Sequence, residues 1–474
     1  MQKDKYLDKN NHRRALGVHL TSSDIFLNYI FPTIENELCD YLWVDLFAGE
    51  GNLIFPLLDS IKEESRINFF KEHIFLSDIQ EDMVIKCIKK AQKYGIPSEI
   101  ARKNIIKRDN LQSYPPFLEN KRFPIFHITN PPYLYLGYIR KHPETKKHLL
   151  YFERENEGYQ DLYQIAMIND LRNEVNNLVY IIPSNFLFGS SVSNKFRSDF
   201  LYYYKINKMY IFETKIFEFT GTNILIGFFE RKRTGKNEVI NFEGIKFKKN
   251  ERIIKRKYSL KPDYQFRAGS EFEEFLEKYR CKNPLKVNYY LQKKDLKHND
   301  GDSDLLVIDT SCYASNEYLK KRLKVSKSLK EKVKSNILYV RTVDTGSYQG
   351  RVGLYNIHED FGVEGIYVSG NTYRTSPIQI FIEPSISKKT QKTLRRFFNL
   401  ILEHFREELD SEFLTTYKYS DAEYTRKYLG LTQTRKLIQT FPILDIIESD
   451  LEDLNKYIRQ ESIRELFSLL LDYT

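Results

Sequence analysis

Cysteine is scarce in this sequence. Four occur in 474 residues, at Cys39, Cys87, Cys281 and Cys312, and no two form a CxxC pair. That spacing excludes a disulfide framework and a cysteine zinc site, predicts no bound metal, and fits a reducing compartment. Long apolar runs are also missing. No stretch reaches membrane-spanning length, and the opening "MQKDKYLDKNNHRRALG" has no apolar centre for a signal peptide, so a soluble cytosolic protein is expected. Neither an internal repeat nor a low-complexity linker is present. Charge is present in excess of one sign: Lys+Arg 74 against Asp+Glu 64 leaves a net +10. Such an excess is compatible with a phosphate-rich partner, but equally with solubility alone.

What is present changes character along the chain. The first half alternates the apolar runs "YLWVDLFA", "HIFLSDI", "FPIFHITN", "NLVYIIPSN" and "TNILIGFFER" with helical or loop segments. Continuous apolar strands of this kind are buried on both faces, which predicts an α/β sheet domain. Past about residue 235 the runs become short, alternating and basic, so domains are expected at 1–240 and 241–474. From Lys320 to Lys334 eight basic residues accompany one acid, either a solvated face or a phosphate-tracking surface. "TQKTLRRFFNLILEHFREEL" and "SDLEDLNKYIRQESIRELFSLLLDY" have helical spacing, and the second is expected to open with a capping box, Ser449 with Glu452.

Four strand ends carry the chemistry. "VDLFAGEGNL" (Val44–Leu53) is a strand entering a glycine-rich turn, where the backbone can approach a ligand. Asp45 at its end suits a cationic amino group. Asp78 ends "HIFLSD", where an acid can accept from both hydroxyls of a ribose. Asp109 follows in "KRDNLQSYPPF", and "FHITNPPYLYLG" (Phe126–Gly137) sets Asn130 before two prolines and Tyr133. Prolines fix φ and remove donors, so this loop is stiff and presents carbonyl oxygens, as a ligand bearing its own N–H groups requires. Polar groups ending successive strands converge on one crevice.

These motifs, in this order from Ala15 to Arg233, resemble the S-adenosylmethionine-dependent DNA methyltransferases that act on the exocyclic amine of adenine. The subtype is the one with the cofactor motif first and the target-recognition domain last. The resemblance implies a Rossmann-like domain, with a mixed seven-stranded sheet and helices on both faces, followed by an α+β target-recognition domain. It implies S-adenosylmethionine held by Thr21, Asp45, Phe47, Gly49, Gly51, Asp78, Ile79 and Asp109. In "ALGVHLTSSDIF" Ser22 replaces the family's usual proline. In "DLYQIAMIND", with Asp161, Leu162 and Tyr163, Ala166 falls where some members place a ring-packing phenylalanine, which assigns adenine packing to Ile79. "YIIPSNFL" and "IFEFTGTNILIGFFER" match the later sheet motifs.

The same resemblance makes Asn130, Pro131, Pro132, Tyr133 and Phe217 the catalytic set. Asn130 Oδ1 and the Pro131 carbonyl would each hold one amine hydrogen, while Tyr133 and Phe217 stack on an adenine flipped out of duplex DNA. It further implies a monomeric, nucleoid-associated enzyme of the prokaryotic cytoplasm, in a restriction–modification or regulatory role, with a cognate restriction endonuclease as a candidate partner. Two alternatives stay open. One is an NPPY methyltransferase of a protein glutamine amide, which needs no large basic second half. The other is the methylase part of a fused restriction–modification enzyme. The segment ahead of Val44 is too short for a nuclease domain, and the E-x-x-K of "FEGIKFKK" reads as a strand. In the second half, Arg341, Tyr348, Gln349 and Arg351 of "RTVDTGSYQGRVGLY" could reach base edges if they do not simply form a hairpin.

Overall fold

The computed structural model describes residues 21–116, 122–214, 216, 223–248, 252–344, 350–372, 375–418 and 426–474. The first compact unit, Met1–Ala268, is built on one sheet of nine strands. These are β1 (Leu42–Asp45), β2 (Ile74–Asp78), β3 (Ile105–Lys107), β4 (Ile125–Thr129), β5 (Asn177–Pro183), β6 (Tyr204–Phe212), β7 (Ile224–Arg231), β8 (Ile240–Phe247) and β9 (Ile253–Leu260), in the order β3-β2-β1-β4-β5-β7-β6-β8-β9. β3, β2, β1, β4 and β5 run parallel, and β7 is antiparallel to both β5 and β6. Strand order reverses between β1 and β4, so the carboxyl ends carrying Asp45 and Thr129 flank the crevice where open α/β sheets bind ligands.

Burial on both faces explains the apolar runs. Along β5, Leu178, Tyr180 and Ile182 enter one core and Val179 and Ile181 the other, as the two-residue period of a strand requires. The helix Glu81–Lys93 buries Met83, Val84, Cys87, Ile88 and Ala91 as one stripe, with Glu81 and Asp82 in its first turn and Lys90 and Lys93 in its last, matching the helix dipole.

The second unit, Gly269–Thr474, holds two four-stranded sheets. One combines β10 (Lys286–Tyr289), β14 (Leu338–Arg341), β15 (Gly353–Asn356) and β17 (Ile378–Glu383); the other β11 (Leu291–Gln292), β12 (Ser303–Ala314), β13 (Glu317–Val325) and β16 (Gly365–Val368). The amphipathic helix Lys388–Glu408 buries Leu394, Phe397, Phe398, Ile401 and Leu402 in this unit's core.

Four expectations change. The sheet has nine strands rather than seven, because β8 pairs along the free edge of β6 and β9 pairs with β8. The boundary accordingly falls at 268/269, not 240/241. The basic residues flanking β8 misled: the one lysine inside the strand, Lys246, is buried against Glu213, Nζ to Oε1 3.1 Å. Ser449 caps nothing; its helix begins one residue earlier, at Glu448 with Ile447 as N-cap, and its hydroxyl donates to Asp450 Oδ1 at 3.1 Å. Around the expected base-reading loop, β14 and β15 do form an antiparallel pair. There the Arg341 guanidinium lies 4.4 Å from the Tyr355 ring centre and Arg351 Nη1 lies 2.7 Å from Glu403 Oε2, so both arginines are engaged inside their own unit. Gly346, Tyr348 and Gln349 lie outside the described residues.

Candidate active site at the carboxyl edge of the first sheet

A cavity of about 270 Å³ opens where β1, β2 and β4 end. Thr21, Asp45, Phe47, Gly49, Asp78, Ile79, Asn130, Pro131 and Pro132 all line it, so residues 109 positions apart in sequence meet here. Ile79 is half exposed, an apolar side chain left at the cavity edge with no core to fill.

The turn after β1 is held from three sides. Leu46 donates its amide to His127 Nε2 at 3.2 Å, and Asn110 Nδ2 donates to the Leu46 carbonyl at 2.6 Å. Because His127 Nε2 accepts, its Nδ1 carries the proton and donates to Asp170 Oδ2 at 2.7 Å, an oxygen that also accepts from the Tyr180 hydroxyl at 2.5 Å. All three side chains are buried, so the network is a rigid base for the turn. Gly49 adopts φ 54° and donates its amide to Asp78 Oδ2 at 2.9 Å, while Gln80 donates to Asp78 Oδ1 at 2.8 Å. A carboxylate offers about four acceptor positions, so these two backbone donors do not exhaust Asp78. Burial raises its pKa above the usual carboxylate value.

Asp45 is fully buried, and that burial pushes its pKa up to about 6 against the opposing Thr129 hydrogen bond. Its Oδ1 accepts from the Thr129 hydroxyl at 2.6 Å and the Phe47 amide at 3.0 Å. Thr21 ties two loops together: its carbonyl accepts from Asn52 Nδ2 at 2.8 Å and its hydroxyl from Asn130 Nδ2 at 2.8 Å. That second bond fixes the Asn130 amide, with Oδ1 as the acceptor side. Asp161 supports the loop from behind, accepting from the Leu134 amide at 2.8 Å, and burial raises its pKa to about 7.

Several expected residues sit elsewhere. Gly51 does not line the cavity. Its φ is 77°, and an added Cβ would come within 2.3 Å of Phe55 Cε2 and 3.1 Å of Cys87 Sγ, so it is required for the turn's own packing. Asp109 also stays off the cavity wall. Its Oδ1 accepts from the Leu111 and Gln112 amides at 3.1 and 3.2 Å, and its Oδ2 from the Tyr151 hydroxyl at 2.7 Å. Tyr133 lies beside Asn130 rather than against the cavity. Its hydroxyl donates to Asn130 Oδ1 and contacts the Ile181 carbonyl, and its ring packs edge-on against Tyr163 at 6.5 Å. Phe217 lies outside the described residues.

Sequence reading missed the segment Pro143–Phe152, whose Lys147, His148, Leu150 and Tyr151 form one cavity wall. Its 3-10 geometry follows neither the two-residue nor the 3.6-residue period. No pattern could have flagged it. His127, Asn110 and Asn52 were equally hidden, since each supports the site through partners distant in sequence.

No curated protein matches the chain. The type IIL restriction-modification enzyme MmeI, solved in complex with DNA, superposes with a TM-score of 0.52 at 12% identity, over 97% of this chain and 76% of that one. A modification subunit assigned to a type I restriction enzyme of Vibrio vulnificus YJ016 gives 0.36 at 13%, over 75% and 62%. The type IIG restriction endonuclease BpuSI gives 0.45 at 13%, over 96% and 66%. The chain thus spans less than two thirds of the length of the Vibrio subunit and of BpuSI. At such identities only the MmeI superposition carries weight, and it establishes the fold alone. The model of the Eco57I restriction-modification methylase family matches residues 40–217, the span holding β1, β2, β4, β5 and every strand-end motif from Asp45 to Asn130. Residues 40–217 of this chain are thus similar to the Eco57I restriction-modification methylase family.

Proposed function

We propose that the chain is a site-specific DNA methyltransferase acting on the exocyclic amine of adenine. The observation that carries this reading is Asn130, held by Thr21 at the edge of the cavity with its acceptor oxygen defined and followed by two prolines that line the wall.

S-adenosylmethionine fits the donor set: a buried acid at Asp45 for a cationic amino group, an acid with spare acceptor positions at Asp78 for ribose hydroxyls, and apolar Phe47 and Ile79 along the wall. When bound there, it supplies an electrophilic methyl group. The chain's own task is then to make a poor nucleophile reactive. The adenine amine is delocalised into its ring, and its nitrogen must pyramidalise as it attacks. Asn130 Oδ1 and the Pro131 carbonyl each accept one N–H, favouring that geometry and the positive charge that grows on nitrogen. No strong base is needed before transfer.

Tyr133 has two parts in this scheme. Without substrate its hydroxyl satisfies Asn130 Oδ1, which avoids the roughly 1–3 kcal/mol cost of a buried unpaired acceptor. With substrate, its ring stacks on the base taken out of the duplex. The second unit is assigned to sequence selection and phosphate contact, supported by the basic residues of β13 and the helix Lys327–Ser335.

The test is to incubate the chain with S-adenosylmethionine and genomic DNA, digest the DNA to nucleosides and identify the product by mass spectrometry. N6-methyladenine is expected. A methylated cytosine, or methyl transfer to protein glutamine only, contradicts the proposal.

A further inference from the structure

The wall formed by Pro143–Phe152 suggests how the purine end of the ligand is read, and the inference rests on the cofactor reading above. Asp109 was expected to help hold the cofactor, yet it does not line the cavity, and three of its acceptor positions are filled by Leu111, Gln112 and Tyr151. Tyr151 touches both. It lines the cavity, is 8% exposed, and donates its hydroxyl to Asp109 Oδ2 at 2.7 Å.

We propose that the Tyr151 phenol oxygen is the acceptor for the 6-amine of the cofactor's adenine, and that Asp109 is its positioning residue. A phenol has one proton and two lone pairs. With the proton committed to Asp109, the oxygen can face the cavity only as an acceptor, so it selects a ligand edge that carries N–H. A purine edge without an amine leaves the lone pairs of that oxygen without a donor, and this is how polar sites discriminate. Burial and the neighbouring carboxylate both raise the Tyr151 pKa far above its ordinary value, so the phenol stays protonated and the arrangement holds at any pH the enzyme meets. Tyr151 also stacks near His148, ring centres 5.9 Å apart, which fixes the ring plane.

The test uses calorimetry with two probes, S-adenosylhomocysteine and its analogue bearing hydrogen in place of the 6-amine. Wild-type protein is expected to prefer the amine-bearing probe by about fivefold to tenfold, the worth of one hydrogen bond. In Tyr151→Phe that ratio should fall to about one while affinity for the amine-free analogue stays within about twofold, because the ring remains. Asp109→Asn, with its fold checked by urea unfolding against wild type, should give an intermediate ratio. A Tyr151→Phe protein that keeps the wild-type ratio overturns the assignment, as does a ratio lost in Asp109→Asn but kept in Tyr151→Phe, which would make Asp109 the direct contact. Wild-type protein that binds neither probe overturns the cofactor reading, and the Tyr151 assignment with it.

Discussion

Asp45 shows how much one buried carboxyl can report. Its pKa in the folded chain is about 6 against an ordinary 3.8. Between those values the folded chain keeps a proton that the unfolded chain has released. Its contribution to stability is therefore present at low pH and is lost as pH rises through about 6. A cationic ligand reverses the preference, because it favours the carboxylate. Cofactor affinity is thus expected to fall by up to about tenfold for each pH unit below 6, and Asp45→Asn should bind weakly with no such dependence. Titration calorimetry between about pH 5 and 7 checks this; an unchanged pH dependence in Asp45→Asn contradicts it. Residue identity was legible here from position alone, since an acid ending an apolar strand before a glycine turn is easily found. The environment that sets its pKa was not, because it comes first from burial in the folded sheet and then from Thr129, which reaches it from another strand.

At the scale of elements, the turn after β1 depends on Gly51. Its positive φ and the approach of Phe55 leave no room for a side chain. Gly51→Val is expected to cost roughly 2–4 kcal/mol of stability through backbone strain and overpacking, measured by urea unfolding of the full chain. Any loss of cofactor affinity should follow from that destabilisation. A variant of wild-type stability that fails to bind would instead put Gly51 at the ligand. The periodic elements were readable in advance: β1, β2, β4 and β5 coincide with the continuous apolar runs, and Lys388–Glu408 with the helical pattern. Elements whose pattern conflicted with their surroundings were misread. β8 alternates buried and less buried residues like any sheet strand, but the basic residues on either side of it drew it into the second half, and the 3-10 wall Pro143–Phe152 has no sequence period to follow.

Across the whole molecule, the run Lys320–Lys334 divides into two kinds of cation. Lys321, Lys324, Lys332 and Lys334 pair with Asp309, Asp304, Glu383 and Glu364. Lys320, Arg322 and Lys327 form no ion pair among the described residues. If the second unit contacts phosphate, Arg322→Ala and Lys327→Ala should each weaken all duplexes alike and lower the slope of log affinity against log salt by about one unit. The same change at Lys321 should reduce stability instead, since it strips the partner from the buried Asp309 carboxylate. Fluorescence binding isotherms across a salt series, paired with unfolding curves, separate these outcomes; a salt slope insensitive to Arg322 and Lys327 contradicts the assignment. Sequence composition marked this surface but not its division, which depends on acids supplied by other strands.

The central claim is that Asn130 accepts from the amine that receives the methyl group. The most direct test is single-turnover methyl transfer to DNA by Asn130→Ala, with cofactor affinity measured on the same preparation. Transfer should slow by about a hundredfold or more, because the lost interaction grows in the transition state. Cofactor affinity should stay within about fivefold, because the variant loses hydrogen bonds to Thr21 and Tyr133 but none of the assigned cofactor contacts. Near-normal transfer, or a slowing fully accounted for by weaker cofactor binding, would contradict the account.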